Sequence, residues 1–327
     1  MESKLNNAVE TVRTRFVEFE DRPAVWKNDK FVSYSELNRR IDSWHETLSN
    51  LKIESGSIVG ILGDFSPEVA AIFFALMERR CILVPLTRDL KNIDELKQIA
   101  GVEFLFEFDS QDQYRFEKIE TDSPKNSLIE KFYERDHAGL IIFSSGSTGK
   151  PKGILQDCEL VMRKFVAVRK SHRTILFLMM DHFGGFNTFL SALAYGGLAV
   201  CIDERSPEKI CKAIESTQAD LLPTTPTFLN LLIASRCYER YDLSSLRLIT
   251  YGTEMMNQTT LERLKNIFPQ VELKQTYGLS ELGVLRSKSK NDQSLFLKVG
   301  GSEFQTKIID NILWIKAESN MVGYLNA

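Results

Sequence analysis

Residues 144–153 read SSGSTGKPKG and follow directly on the apolar run LIIF at 140–143. Four hydroxyl side chains and three glycines in ten residues have little use in a packed core. Glycine lets backbone N–H groups turn towards an anion, serine and threonine hydroxyls donate to phosphate oxygens, and lysine adds positive charge. The composition is that of a loop built to hold phosphate. It is not the Walker A arrangement, because Gly149 and Lys150 run into Pro151, which has no N–H to donate and disfavours a helical conformation at Lys150. A kinase or P-loop ATPase is therefore not expected.

Other residues able to do chemistry are more scattered. His182, one of four histidines, stands between the run ILFLMM at 175–180 and the pair Gly184 and Gly185, whose missing side chains permit close approach to the ring. Asp181 precedes it. Tyr277 before a glycine reads by itself as a core aromatic at a strand end, and Glu281 at the head of ELGVL as a helix-terminal charge. The five cysteines (Cys81, Cys158, Cys201, Cys211 and Cys237) form no CxxC pair and have no histidine at zinc-finger spacing. Each lies in or beside an apolar run, which predicts small, buried, reduced thiols.

The elements that must position these residues alternate in type. Apolar runs at 58–62, 81–86, 102–108, 139–145, 174–180, 198–202, 220–225, 246–252 and 271–278 read as buried strands. Between them helical periodicity opens at Pro67 and covers 93–100, 160–168, 186–194, 206–216, 226–234 and 258–268. Such alternation predicts βα units and sheets buried on both faces. Ahead of it come a helix over 5–19, a hairpin around Asn28 and Asp29, and a helix over 34–51, with Ser33 as its cap and Glu36 placed for a capping box. The polar segment 109–136 reads as a solvated connection. From about Ser287 the helices stop, and three short strands predict a small antiparallel β subdomain.

Composition sets the outer bounds. With 327 residues, 43% hydrophobic and 26% charged, the chain has ordinary globular usage and length enough for an ample core. A net charge of −3 lacks the footprint of a generic nucleic-acid binder. The longest unbroken apolar run, 69–77, is far short of a membrane span, and the polar N-terminus has no signal-peptide core. The cytoplasm is the expected compartment.

The loop SSGSTGKPKG resembles the signature of the adenylate-forming superfamily, which includes acyl- and aryl-CoA synthetases, nonribosomal adenylation domains and luciferase. Further motifs follow in the expected order: DHFGG at 181–185, TYGTEM at 250–255, TYGLSE at 276–281 with Ser280 where the family has Thr, and ILWIKAESNMVGYLN at 312–326. The resemblance extends over nearly the whole chain from about Phe31. It implies layered α/β/α sheets, with residues 1–286 as an α/β core of two βα subdomains and 287–327 as the small β subdomain. It also implies ATP-dependent activation of a carboxylic acid to an acyl adenylate with release of pyrophosphate, followed by transfer to CoA. In that reading Ser144, Ser145, Gly146, Ser147, Thr148, Gly149 and Lys152 hold the ATP phosphates. Gly252, Thr253, Glu254, Thr276, Tyr277, Gly278 and Ser280 surround the adenine. Glu281 holds Mg²⁺, and His182 flanks the acyl pocket.

A one-residue shift would put Asp181 in the register where amino-acid-activating relatives bind an α-ammonium group, so an amino-acid adenylating enzyme, or one serving a carrier-protein phosphopantetheine thiol, stays open beside a CoA ligase. The family's following TGD motif and its mobile C-terminal domain with a catalytic Lys are not in the sequence, which predicts the large N-terminal part of a longer enzyme, weakly active or inactive alone. A short homologue that binds nucleotide or acid without turnover is the alternative.

Overall fold

In the computed structural model, residues 7–120, 125–145, 150–285, 287–289, 294–300, 304–317 and 319–326 are described. Two seven-stranded sheets organise the chain. The first runs in the order β13-β12-β11-β9-β10-β1-β2, and its strands are β1 (Pro23–Lys27), β2 (Lys30–Ser33), β9 (Arg173–Ile175), β10 (Leu198–Val200), β11 (Leu221–Thr224), β12 (Leu248–Tyr251) and β13 (Glu272–Gln275). All its neighbours pair in parallel except the edge hairpin β1–β2. The second runs β20-β8-β7-β4-β3-β5-β6, from β3 (Ile58–Leu62), β4 (Ile82–Leu86), β5 (Phe104–Phe108), β6 (Tyr114–Lys118), β7 (Gly139–Ser145), β8 (Pro151–Asp157) and β20 (Gly323–Tyr324). Here β3, β4, β5 and β7 pair in parallel, whereas β6, β8 and β20 join antiparallel.

Helices fill the spaces because the sheets are apolar on both faces. Helices α1 (Ala8–Phe19), α2 (Tyr34–Asn50), α3 (Pro67–Glu78), α6 (Cys158–Val166) and α7 (Phe183–Ala194) lie between the sheets, where their side chains share one core with residues of both. The outer face of the first sheet carries α8 (Pro207–Thr217), α9 (Pro226–Ser235) and α10 (Gln258–Ile267). That of the second carries α4 (Ile93–Ala100) and α5 (Ser127–Tyr133). The result is the layered α/β arrangement expected from the alternating runs. Three small antiparallel pairs follow: β14 (Tyr277–Leu279) with β15 (Gly283–Leu285), β16 (Ser287–Ser289) with β17 (Leu297–Val299), and β18 (Phe304–Ile309) with β19 (Ile312–Ala317).

The sequence reading needs correction at three places. Segment 109–136 is not a bare connection: β6 pairs along β5 with Phe116 turned onto Phe106, and α5 buries Ile129 and Phe132 behind an Asn126 cap. The run 174–180 is strand only as far as Ile175. Its remaining apolar residues turn away and pack on other elements, Phe177 lying 4.5 Å from the Phe228 ring on α9. The capping box at α2 is half made, since Ser33 accepts from Glu36 N at 3.2 Å while the Glu36 carboxylate accepts from Arg40 instead. The sequence reading assigned no partner to Gly323 and Tyr324, which pair with Leu155 and Ile154 of β8, in the second large sheet. All five cysteines are buried and free, and burial pushes the Cys81 thiol up to about 12. Among the described residues no helix is long and apolar enough to cross a membrane.

Candidate active site

In open parallel sheets, ligands bind where strands end at their carboxyl edges, because the connecting loops there can spread apart. Here β9, β11, β12 and β13 end side by side, and the helices behind them leave a cavity of about 440 Å³. Ser144, at the carboxyl end of β7, faces it from the second sheet. The first sheet's edge contributes Thr224, Gly252, Thr253 and Thr276, and β14 with its turn contributes Tyr277, Gly278, Ser280 and Glu281. His182, Gly184, Asn187 and Thr188 come from α7. Residues more than 130 positions apart in sequence thus share one wall.

Local backbone chemistry explains how several of these are held. Thr276 donates through its N–H (2.8 Å) and its hydroxyl (3.1 Å) to Tyr251 O, tying the end of β13 to β12. A Cβ on Gly252 would come within 2.6 Å of Thr276 Oγ1 and 2.8 Å of Thr276 O, so only glycine lets these two segments lie together. Thr253 has φ +67°, a left-handed conformation that a β-branched residue adopts only under constraint, and such strain gathers at binding sites. His182 caps α7, its Nδ1 accepting from Gly184 N at 3.0 Å. That bond fixes the neutral tautomer with the proton on Nε2, and burial lowers the His182 pKa, with the Asp181 charge opposing. Asp181 itself turns to Thr87, whose hydroxyl donates to it at 2.9 Å, and burial raises its pKa.

Glu281 is held from three sides. Tyr324 OH donates to its Oε1 at 2.8 Å, Met321 N donates to its backbone carbonyl at 2.7 Å, and Gln156 Nε2 donates to the carbonyl of neighbouring Ser280 at 2.5 Å. Lys152 Nζ lies 5.2 Å from the centroid of the same Tyr324 ring. Magnesium is a hard cation that accepts one or two carboxylates together with substrate phosphates and needs no protein cage. A single positioned Glu281, lining the same cavity as Ser144, fits that demand, and no cluster of three or more His, Cys, Asp or Glu suited to a metal exists among the described residues.

Not every residue singled out from sequence meets at the cavity. Gly146, Ser147, Thr148, Gly149 and the side chain of Ser145 lie outside the described residues. The Glu254 carboxylate turns away to α9, accepting from Thr227 N at 3.0 Å and from Thr227 Oγ1. Conversely, sequence reasoning gave no role to Tyr324, Asn187, Thr188 or Thr224. Asn187 Oδ1 and Thr224 Oγ1 are buried on the cavity wall without a hydrogen-bond partner among the described residues. A signal for the first existed: Asn187, Thr188 and Ser191 form a polar stripe on the otherwise apolar helix FGGFNTFLSALA.

The family model of the AMP-binding enzymes matches residues 12–324. The chain is 22% identical to peroxisomal OPC-8:0-CoA ligase 1 of Arabidopsis thaliana, an alignment that covers 90% of this chain and 64% of that one. It is 25% identical to a 2-succinylbenzoate--CoA ligase of Bacillus cytotoxicus, over 80% of this chain and 56% of that one. It therefore spans about three fifths of the length of these curated relatives. Among solved structures, the anthranilate CoA ligase AuaEII in complex with anthranoyl-AMP superposes with a TM-score of 0.82 at 16% identity, covering 98% of this chain and 70% of that one.

Proposed function

Because the chain belongs to the AMP-binding enzyme family, we propose that it activates a carboxylic acid with ATP, giving an acyl adenylate and pyrophosphate, and that the acyl group then passes to a thiol. The observation that carries this reading is the single cavity into which His182, Ser144 and the Thr276–Glu281 segment all face. A carboxylate is already a nucleophile, so attack on the α-phosphorus calls for alignment and charge neutralisation rather than a general base. The adenine would lie against Tyr277, between Gly252, Thr253 and Gly278, with Thr276 and Ser280 at its edges. Ser144, Ser145, Gly146, Ser147, Thr148, Gly149 and Lys152 would hold the phosphates. Glu281, oriented by Tyr324, would hold Mg²⁺, which when bound offsets the charge building up on the phosphate oxygens. The His182 Nε2–H is available to donate to the acid carboxylate.

Asp181 is engaged with Thr87 and does not line the cavity, which favours an acid without an α-ammonium group. The relatives named as CoA ligases support CoA as the acceptor over a carrier-protein phosphopantetheine. We assign residues 1–286 to the adenylating core and 287–327 to a small β subdomain, whose Gly323 and Tyr324 reach back to the edge of the core's second sheet. The test is MgATP protection against unfolding, which at a hundredfold excess over Kd amounts to about 2.7 kcal/mol. Replacing Thr148 and Lys152 together, or Glu281→Gln alone with Mg²⁺ present, removes most of this protection if the reading is right. Protection that survives both changes refutes it, and acid-dependent ATP–pyrophosphate exchange across fatty, aryl and amino acids then identifies the substrate.

A further inference from the structure

We infer that Thr87 and Arg205 are positioning residues for His182, fastening the turn that carries it to the opposite sheet. The inference rests on the acid-activation reading above, in which His182 donates to the acid. The two large sheets contain strands in matching order, β9-β10-β1 in the first and β4-β3-β5 in the second. Each of the first three is tied, at or just beyond its carboxyl end, to its counterpart in the other sheet. After β9 and β4, the Thr87 hydroxyl donates to Asp181 Oδ2 at 2.9 Å. After β10 and β3, Arg205 forks onto Asp64, Nη1 donating to Oδ2 at 2.8 Å and Nη2 to Oδ1 at 3.1 Å. At the end of β1, Lys27 Nζ lies 3.2 Å from Asp112 Oδ1 in the turn that follows β5. The next pair in the same order, β11 and β7, ends at the cavity, with Thr224 and Ser144 on its wall. The ties form a seam between the sheets, and the cavity opens beside the tie made by Asp181, the residue before His182.

The turn depends on these bonds because it has no ladder or helix of its own. β9 ends at Ile175 and α7 opens at Phe183, so residues 176–182 take their shape from groups outside the segment. Arg205 Nε donates to Phe177 O at 2.7 Å, and the same guanidinium holds the Asp64 carboxylate. Its planar fork fixes the angle between the turn's backbone and the second sheet. At the other end of the turn, Thr87 is only 2% exposed, and its hydroxyl keeps the Asp181 carboxylate pointed at β4 and away from the neighbouring imidazole. Between the two anchors lie the residues the turn presents. Leu178 and His182 line the cavity, and Met179 O accepts from His182 N at 3.2 Å. Thr87 and Arg205 themselves stand off the cavity wall and act through the turn.

The test reads His182 directly, by NMR on the protein labelled with ¹⁵N-histidine, with His45, His137 and His172 as internal references. In the parent, burial holds the His182 pKa below the ordinary 6.5. Thr87→Val releases the Asp181 carboxylate towards the ring and brings this value to 6.5 or above, since a nearby anion favours the charged imidazole. Thr87→Ser keeps the hydroxyl and the parent value. Arg205→Gln frees Phe177 O, and the Gly184 N–H that donates to His182 Nδ1 then exchanges with solvent about tenfold faster. Lys27→Met cuts the tie farthest from the cavity and changes neither reading. An unmoved reading in Thr87→Val or in Arg205→Gln overturns the role of the residue replaced. An equal response to Lys27→Met overturns both, because the effect is then a general loosening of the seam. Should Thr87→Val fail to fold, Arg205→Gln set against Lys27→Met decides by the same criterion. MgATP protection, measured on the same samples, stays at the parent level in every variant. Protection without a His182 response overturns this inference alone, whereas a response with no protection in any sample upholds the positioning and refutes adenylation.

Discussion

Replacing either glycine of the DHFGG segment adds one methyl group, yet the structure predicts opposite outcomes at the two positions. A Cβ on Gly185 would lie 1.9 Å from Met179 O and 2.7 Å from Leu178 O, both backbone atoms. Ordinary contact begins near 3.4 Å, so the Met179 carbonyl must retreat by about 1.5 Å. That carbonyl accepts from His182 N at 3.2 Å, and moving it undoes the turn that delivers His182 to the cavity. The cost falls at the upper end for overpacking, about 3 kcal/mol. With an unfolding entropy of about 2.1 cal/mol/K per residue, this lowers Tm by roughly 4–5 °C in a chain of this length. A Cβ on Gly184 meets only side chains, His182 Nδ1 at 3.0 Å and Leu178 Cδ1 at 3.1 Å, which can shift by a few tenths of an ångström. Alanine also gains up to about 1 kcal/mol over glycine in a helix, so Gly184→Ala stays within about 0.5 kcal/mol of the parent. Differential scanning calorimetry on both variants, with acid binding measured below the transition, checks the pair. Equal Tm shifts, or a Gly185→Ala protein as stable as the parent, would refute the steric reasoning.

Tyr324→Phe removes the hydroxyl that donates to Glu281, and at about 1.5 kcal/mol for a charge-assisted bond it weakens MgATP binding roughly tenfold. Unchanged affinity by calorimetry would show that Glu281 is oriented by its backbone alone. Protonating His182 Nδ1 abolishes the acceptor that caps α7, and burial holds the folded-state pKa below its usual 6.5. The folded form therefore takes up this proton less readily than the unfolded chain. The stability it contributes is complete above pH 6.5 and is lost as pH falls through the lowered value. Asp181, raised by burial, acts in the opposite sense at lower pH, so the effect is read between pH 7 and 5. His182→Asn keeps a capping acceptor that does not titrate and flattens the dependence of Tm on pH across that interval; an unaltered slope counts against the cap as the cause.

The sequence displayed those parts of the molecule in which local pattern and tertiary role agree. IVGIL at 58–62 is buried at every position and became a central strand as its unbroken apolar run required. Pro67 and Pro226 each open a helix, consistent with a residue whose missing N–H is no loss there. Motif spacing led to Tyr277, Glu281 and His182, and the fold brings all three to one cavity. What stayed hidden depended on pairing over distance. Nothing local to GYLN announces that it lies against β8, and nothing in TYGTEM shows that Glu254 turns to Thr227 instead of inward. Likewise, the apolar residues after Ile175 satisfy strand patterning equally well whether they form a ladder or, as here, pack a turn on α9.

The short strand Gly323–Tyr324 also bears on the order in which the molecule assembles. Asn326 brackets the start of β8, its Oδ1 accepting from Gly153 N at 3.0 Å and its Nδ2 donating to Pro151 O at 2.8 Å, across 173 and 175 residues of sequence. Leu325 N adds a bond to Gly153 O. Until this segment emerges from the ribosome, β8 is an open sheet edge available to other chains, and closing so long a loop is slow. The hydroxyl that steadies Glu281 arrives on the same few residues. Closing the vulnerable edge and completing the carboxylate's support are thus one late event, so a nascent chain with an exposed β8 has Glu281 without its Tyr324 partner.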